Sequence, residues 1–169
     1  MFRQFWHRRA YKKALATALA TKSLASTKRI EKVRVIMDAD LAVEASFFLD
    51  LAKTLAIPPV NISVLVFPKK NPVESQYAQF FNPEDIGFFG QFRGELEAIC
   101  NQEVDLQMHF FNRADLYMEW VAVVAKHRMS VGFSKADKKI NDLIFDFSPE
   151  EHKTIKNELV KYLTILKLI

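Results

Sequence analysis

The chain has 169 residues, 50% of them hydrophobic and 26% charged, with 4 glycines and 6 prolines. That balance gives one domain enough apolar surface to offset the entropy of ordering it, and it excludes global disorder, low-complexity linkers and a second domain. Charge is uneven: residues 1–34 hold ten Lys or Arg and one acid, Glu31, a net +9 against +4 for the whole chain, which leaves −5 for the rest. Any basic contact surface is therefore expected at the N-terminus alone.

Residues 2–26 lack Pro and Gly and are rich in Ala and Leu, which predicts a basic amphipathic helix within an extension over residues 1–30. Thr17, Thr21, Lys22 and Ser23 interrupt its apolar run, so it is not read as a secretory signal. The run 33–37 is a short β-branched strand ending in Asp38, Ala39 and Asp40, and apolar residues at helical spacing follow from Ala42 to Leu55. Pro58 and Pro59 stop that helix, and residues 61–67 read as a strand covered on both faces, followed by a loop over 68–72.

Residues 73–92 have no clear period, although a strand near 86–89 is one reading. A helix over 95–101, a strand over 104–110, an apolar helix over 114–127 and strands at 129–133 and 142–147 come next. Ser148, Pro149 and Glu151 signal the start of a last helix reaching about Lys167. Strands alternating with helices predict a single α/β domain over 31–169. The expected form is a three-layer, doubly wound, mainly parallel sheet, flavodoxin-like or Rossmann-like.

In such a sheet ligands sit beyond the carboxyl ends of the strands. Asp38, His109 and Lys135 are the candidate catalytic residues there. Asp40, Lys69, Asn112, Arg113, Ser134 and Lys138 are candidate ligand-binding residues. Strand ends are polar in any globular protein, so Asp40 also reads as a helix cap, His109 as a hydrogen-bonded structural residue and Lys138 as solvated surface. No GxxxxGK[ST], GxGxxG, GxSxG, HExxH or CxxC occurs, so no cofactor and no metal is expected. Cys100 beside Ile99 reads as a small core residue. A single cysteine cannot close an intramolecular disulfide, which favours the cytoplasm, and no apolar run approaches the roughly 20 residues that span a bilayer.

Of the fifteen phenylalanines, the group from Phe80 to Phe92 reads as a packed loop or an interface. In the N-terminal helix Arg8, Arg9, Lys12 and Lys13 are candidate partner-binding residues. Their partner is RNA, an anionic membrane surface, another protein or a second copy of the chain. A solubilising extension is the plain alternative.

Several strings carry a resemblance: the basic Phe- and Lys-containing start, KVRVIMDAD at 32–40, NPEDIGFFGQF at 82–92, VGFSKADKKINDLIFD at 131–146 and the ending ELVKYLTILKLI. On these the chain resembles a family of small Bacteroidota proteins of unknown function. A weaker likeness is to the N-terminal half of heptosyltransferase-type glycosyltransferases, through VDLQMHF, LYMEWVAVVAKH and SVGF taken in order. It implies a Rossmann-like fold, while the nucleotide-sugar domain of that family has no counterpart in this chain. The reading that results is a non-enzymatic α/β module acting through its basic helix. The alternative is a small enzyme or binding protein for an anionic, phosphate-like molecule at the strand ends.

Overall fold

The computed structural model describes residues 2–22, 28–41, 43–67 and 78–169. Among these, five helices and six strands follow in the order α1 (Phe2–Thr21), β1 (Val33–Asp38), α2 (Ala45–Leu55), β2 (Ile62–Phe67), β3 (Ala78–Phe80), α3 (Gly94–Asn101), β4 (Val104–Phe110), α4 (Leu116–Val124), β5 (His127–Phe133), β6 (Leu143–Phe145) and α5 (His152–Ile165). The strands form one parallel sheet in the order β3-β2-β1-β4-β5-β6. This is the Rossmann order, and it rules out the flavodoxin-like alternative. The direction of winding reverses between β1 and β4.

Both faces of the sheet are covered, so its central strands are buried on both sides, with Arg34, Gln107 and His109 forming a buried polar stripe on one of them. All seven residues of β4 are buried. Leu106, Met108 and Phe110 join Val33, Val35, Val64 and Val66 under α2 and α5, against Leu51, Leu55, Ile155 and Leu159. Ile36 and Leu65 face the other way, toward Leu96 and Ile99 of α3 and Met118 and Val121 of α4. Leu51, Leu106 and Leu159 are completely buried, and truncating any of them to Ala is expected to cost about 2–5 kcal/mol.

Four expectations change. Residues 86–89 form no strand: Ile86 makes one isolated antiparallel bridge to Phe92, and Gly87 closes a turn with Gly90, whose N–H donates to the Gly87 carbonyl. The sheet edge is instead β3, paired with β2 from Val64 to Val66. Helix α5 starts at His152, because the Glu151 N–H closes a turn on the Ser148 carbonyl. Strand β5 starts two residues before its apolar run, at His127, which pairs with Val104. Ala42 and the loop over 68–72 lie outside the described residues.

Helix α1 packs on the domain. Arg3 donates to the carbonyls of Pro83 (2.6 Å) and Ile86 (3.0 Å), buried His7 to that of Gly87 (2.9 Å), and the Tyr11 hydroxyl to Glu119 on α4 (3.3 Å). Gly90 adopts φ +95°, and a Cβ there would stand 2.8 Å from Trp120 and 2.9 Å from Ala10. Only glycine allows that approach, so Gly90 sets how closely α1 docks. Ala10, Tyr11, Ala14 and Leu15 complete the contact. Apolar side chains also occupy the opposite side of the helix, where Phe2 and Phe5 are exposed, so the expected single apolar stripe is divided between two faces.

Candidate functional site

At the reversal between β1 and β4 three carboxylates surround one guanidinium. Strand β1 ends on buried Asp38, whose Oδ1 accepts from the Asp40 N–H at 3.0 Å. Arg113, three residues past β4, donates through Nε to Asp38 Oδ2 at 2.5 Å and through Nη2 to Oδ1 at 3.3 Å. It also lies 3.8 Å from Asp40 and 3.5 Å from Asp115. Asp115 in turn caps α4, accepting from the N–H groups of Tyr117 and Met118. The Asp38 hydrogen bond and the neighbouring carboxylates raise the Arg113 pKa against the opposing effect of burial. The described strand ends are thus acidic on balance, and their one arginine is engaged.

The other candidates scatter. Asn112 Oδ1 accepts from the Lys135 backbone N–H at 3.2 Å, which ties the loops after β4 and β5. The Ser134 hydroxyl donates to Asp146 at 2.5 Å, toward the β6 edge. Exposed Lys138 opens a 3-10 turn, and Lys69 lies outside the described residues. His109 is inside the protein: its ring is fully buried and stacks on Phe111. Nδ1–H donates to Asn141 Oδ1 at 2.6 Å, while Nε2 accepts from Gln107 Nε2 at 2.9 Å. Gln107 passes the network to buried Arg34, which holds the carbonyls of Ile99 and Gln102 at 2.6 Å at the end of α3.

Only a neutral imidazole completes this set, because Nε2 must keep its lone pair. Burial first, and then the neighbouring His127, push the His109 pKa down to about 3. Gly132 belongs to the same arrangement, since a Cβ there would stand 2.5 Å from Asn141 Oδ1. The chain Arg34–Gln107–His109–Asn141 joins the sheet to the ends of α3 and α4 and presents no reactive atom to solvent. Among the described residues no group of His, Cys, Asp and Glu could hold a metal ion, and buried Cys100 has its thiol pKa pushed up to about 12 by burial.

The outer face of α1 differs in kind. Phe2 is 80% exposed, Phe5 61% and Trp6 38%, and the Gly87–Gly90 turn holds Phe88 and Phe89 beside them at 43% and 68%. The rings touch edge-to-face in a row, Phe5 to Trp6 at 6.0 Å, Trp6 to Phe89 at 6.2 Å and Phe89 to Phe88 at 5.1 Å. Arg9 lies 5.9 Å above the Trp6 ring, and Arg8, Lys12 and Lys13 are exposed along the next turns. Helix α1 contains no acidic residue. The phenylalanine group is therefore split: Phe81 is buried, Phe92 packs beside Trp120, and Phe88 and Phe89 point outward. The signal available in the sequence was the pair of glycines around two phenylalanines, which makes a tight turn with the rings at its tip.

No curated protein and no solved structure matches the chain. A family profile matches residues 3–166, so α1 and the sheet domain lie within one matched unit. The chain belongs to that family, a family of unknown function (DUF6913).

Proposed function

We propose that this protein is a non-enzymatic α/β module that attaches to an anionic membrane surface through the outer face of α1. The observation that carries the reading is the contiguous row of exposed rings beside exposed Arg8, Arg9, Lys12 and Lys13. Soluble surfaces seldom leave so many large rings together without a use.

Magnitudes favour a bilayer over a purely electrostatic partner. Four cations near an anionic leaflet contribute about 1 kcal/mol each, on the order of a millimolar affinity. Inserting two or three rings adds about 1.5–3 kcal/mol apiece, enough for the micromolar range. Trp and Phe with Arg and Lys are the residues that settle at the headgroup boundary. The acidic remainder of the chain would be repelled by the same surface, which orients the module with α1 inward.

The enzymatic alternative has less support. A phosphate at the described strand ends would meet Asp38, Asp40 and Asp115, with Arg113 already held by them. The likeness to heptosyltransferase-type enzymes supplies no residue to this site.

Flotation of the full chain with phosphatidylcholine vesicles, with and without phosphatidylserine, tests the reading. Binding to the anionic vesicles alone, reduced by salt and lost when Phe5 and Phe89 are changed to Glu, supports it. No flotation, or binding to RNA at the same face with none to vesicles, overturns it.

A further inference from the structure

Helix α1 is held to the domain at both ends, and between them mainly small side chains face α4. Its first half is fixed by Arg3, His7 and Tyr11. Just past its end, Lys22 Nζ pairs with Asp142 Oδ1 at 2.6 Å, and Asp142 Oδ2 accepts from both the backbone N–H and the hydroxyl of Ser130. Between these anchors the side facing α4 presents Ala10, Ala14 and Ala18. Small side chains between fixed ends leave a preformed gap, and the structure has one, a cleft of about 820 Å³. Its volume lies within the range of small-molecule sites.

The two ends of the cleft differ in chemistry. Leu15, Trp120, Val123 and the three alanines make its walls apolar. Toward the end of α1 the lining becomes Lys22, His127, Ser130, Lys139 and Asp142. Five Lys or Arg side chains line the cleft against two carboxylates, Glu103 and Asp142. Asp142 is already occupied by Lys22 and Ser130, while Lys13 and Lys139 make no ion pair among the described residues. Lys22 and Arg128 are ion-paired with Asp142 and Asp105, but the lining still carries more cations than carboxylates, and an apolar slot with that excess is complementary to a ligand with an apolar body and an anionic head.

We propose that the cleft between α1 and α4 binds a single-chain anionic amphiphile, its tail lying along Ala14 and Ala18 and its carboxylate or phosphate head at Lys139. From Ala14 to Thr21 the helix rises about 10 Å, which sets the length of tail covered by it. A helix or a second copy of the chain is too thick, since a helix with side chains measures about 10–12 Å across and the walls already touch where Ala10 meets Gly90 and Trp120. Of the outer-face residues only Lys13 also lines the cleft, and neither the proposed tail nor the proposed head position uses it, so the site stands whether or not the protein attaches to membranes.

The test uses the full chain with Trp6→Phe, which leaves Trp120 in the cleft wall as the reporter of the two tryptophans. Myristate and dodecyl phosphate are titrated below their aggregation limits, with dodecanol and butyrate as controls, and native mass spectrometry gives the stoichiometry. Saturable change with one anionic amphiphile per chain is expected, together with weak or no response to either control. Ala14→Phe fills the slot and abolishes binding. Lys139→Glu, an exposed change that leaves the fold alone, weakens it by roughly tenfold. No saturation by either anionic probe, equal affinity for dodecanol, or unchanged affinity in a folded Lys139→Glu protein overturns the proposal.

Discussion

The strand-end crevice and the outer face of α1 both concentrate charge, but only one of them leaves it available. In the crevice Arg113 is surrounded by Asp38, Asp40 and Asp115, and the cluster completes its own ion pairs between β1 and β4. On α1 cations and rings lie side by side with no carboxylate in the helix. Position in a Rossmann-like sheet is thus a weaker guide to this protein than the state of the side chains: a self-satisfied cluster holds loops together, whereas an unsatisfied one can meet a partner.

The largest effect is expected where the contrast is most exposed. Changing Phe5 and Phe89 to Glu should lower affinity for phosphatidylserine vesicles by roughly a thousandfold, because two inserted rings are lost and two like charges gained. The same protein should melt within about 0.5 kcal/mol of the parent, as exposed substitutions do. A large loss of stability would instead place those rings in the fold.

Asp38→Ala attacks the other region. It removes both hydrogen bonds of Arg113 to Asp38, leaving it Asp40 and Asp115, and removes the turn at Asp40; denaturant unfolding should show a loss of about 2 kcal/mol, discounted from a fully buried pair because Arg113 is partly solvated. Vesicle binding should be unchanged.

A comparable effect belongs to the interior. The folded pKa of His109, about 3, lies below the ordinary value of 6.5, so the unfolded chain binds the proton first as pH falls. Its contribution is complete above pH 6.5 and declines as pH drops toward 3, by about 2 kcal/mol at pH 5. His7 and His127, also lowered mainly by burial, act with the same sign. Glu119, raised by burial, acts with the opposite sign. A pH series of melting curves should flatten over this window in His109→Gln, and an unaltered slope would assign the titration to another group. The smallest effect is expected at Lys138→Ala, where stability and vesicle binding should both stay within about 0.5 kcal/mol of the parent.

The sheet was legible because its central strands carry β-branched and apolar residues in short runs or strict alternation: 33–37 and 61–67 stand out as runs, and 104–110 by alternating Val104, Leu106, Met108 and Phe110. Strand β3 was not, since an edge of three residues carries no period. The start of β5 was hidden by His127 and Arg128, polar residues at the strand's entrance. Asp38 and Arg113 could be nominated separately from the strand-end rule, but their pairing depends on β1 lying beside β4, a register that local sequence does not encode. His109 alternates with Gln107 inside a strand buried throughout, a pattern that fits a satisfied polar network as well as a catalytic group. The exposed rings were obscured by composition, because fifteen phenylalanines in 169 residues read first as core.

Trp6 offers the most direct check on membrane attachment, with Trp120→Phe leaving it as the sole reporter. On adding phosphatidylserine-containing vesicles its emission should shift to the blue, brominated acyl chains should quench it, and salt should reverse both changes. An emission spectrum indifferent to those vesicles, or one that responds equally to phosphatidylcholine alone, would contradict attachment through the basic aromatic face of α1.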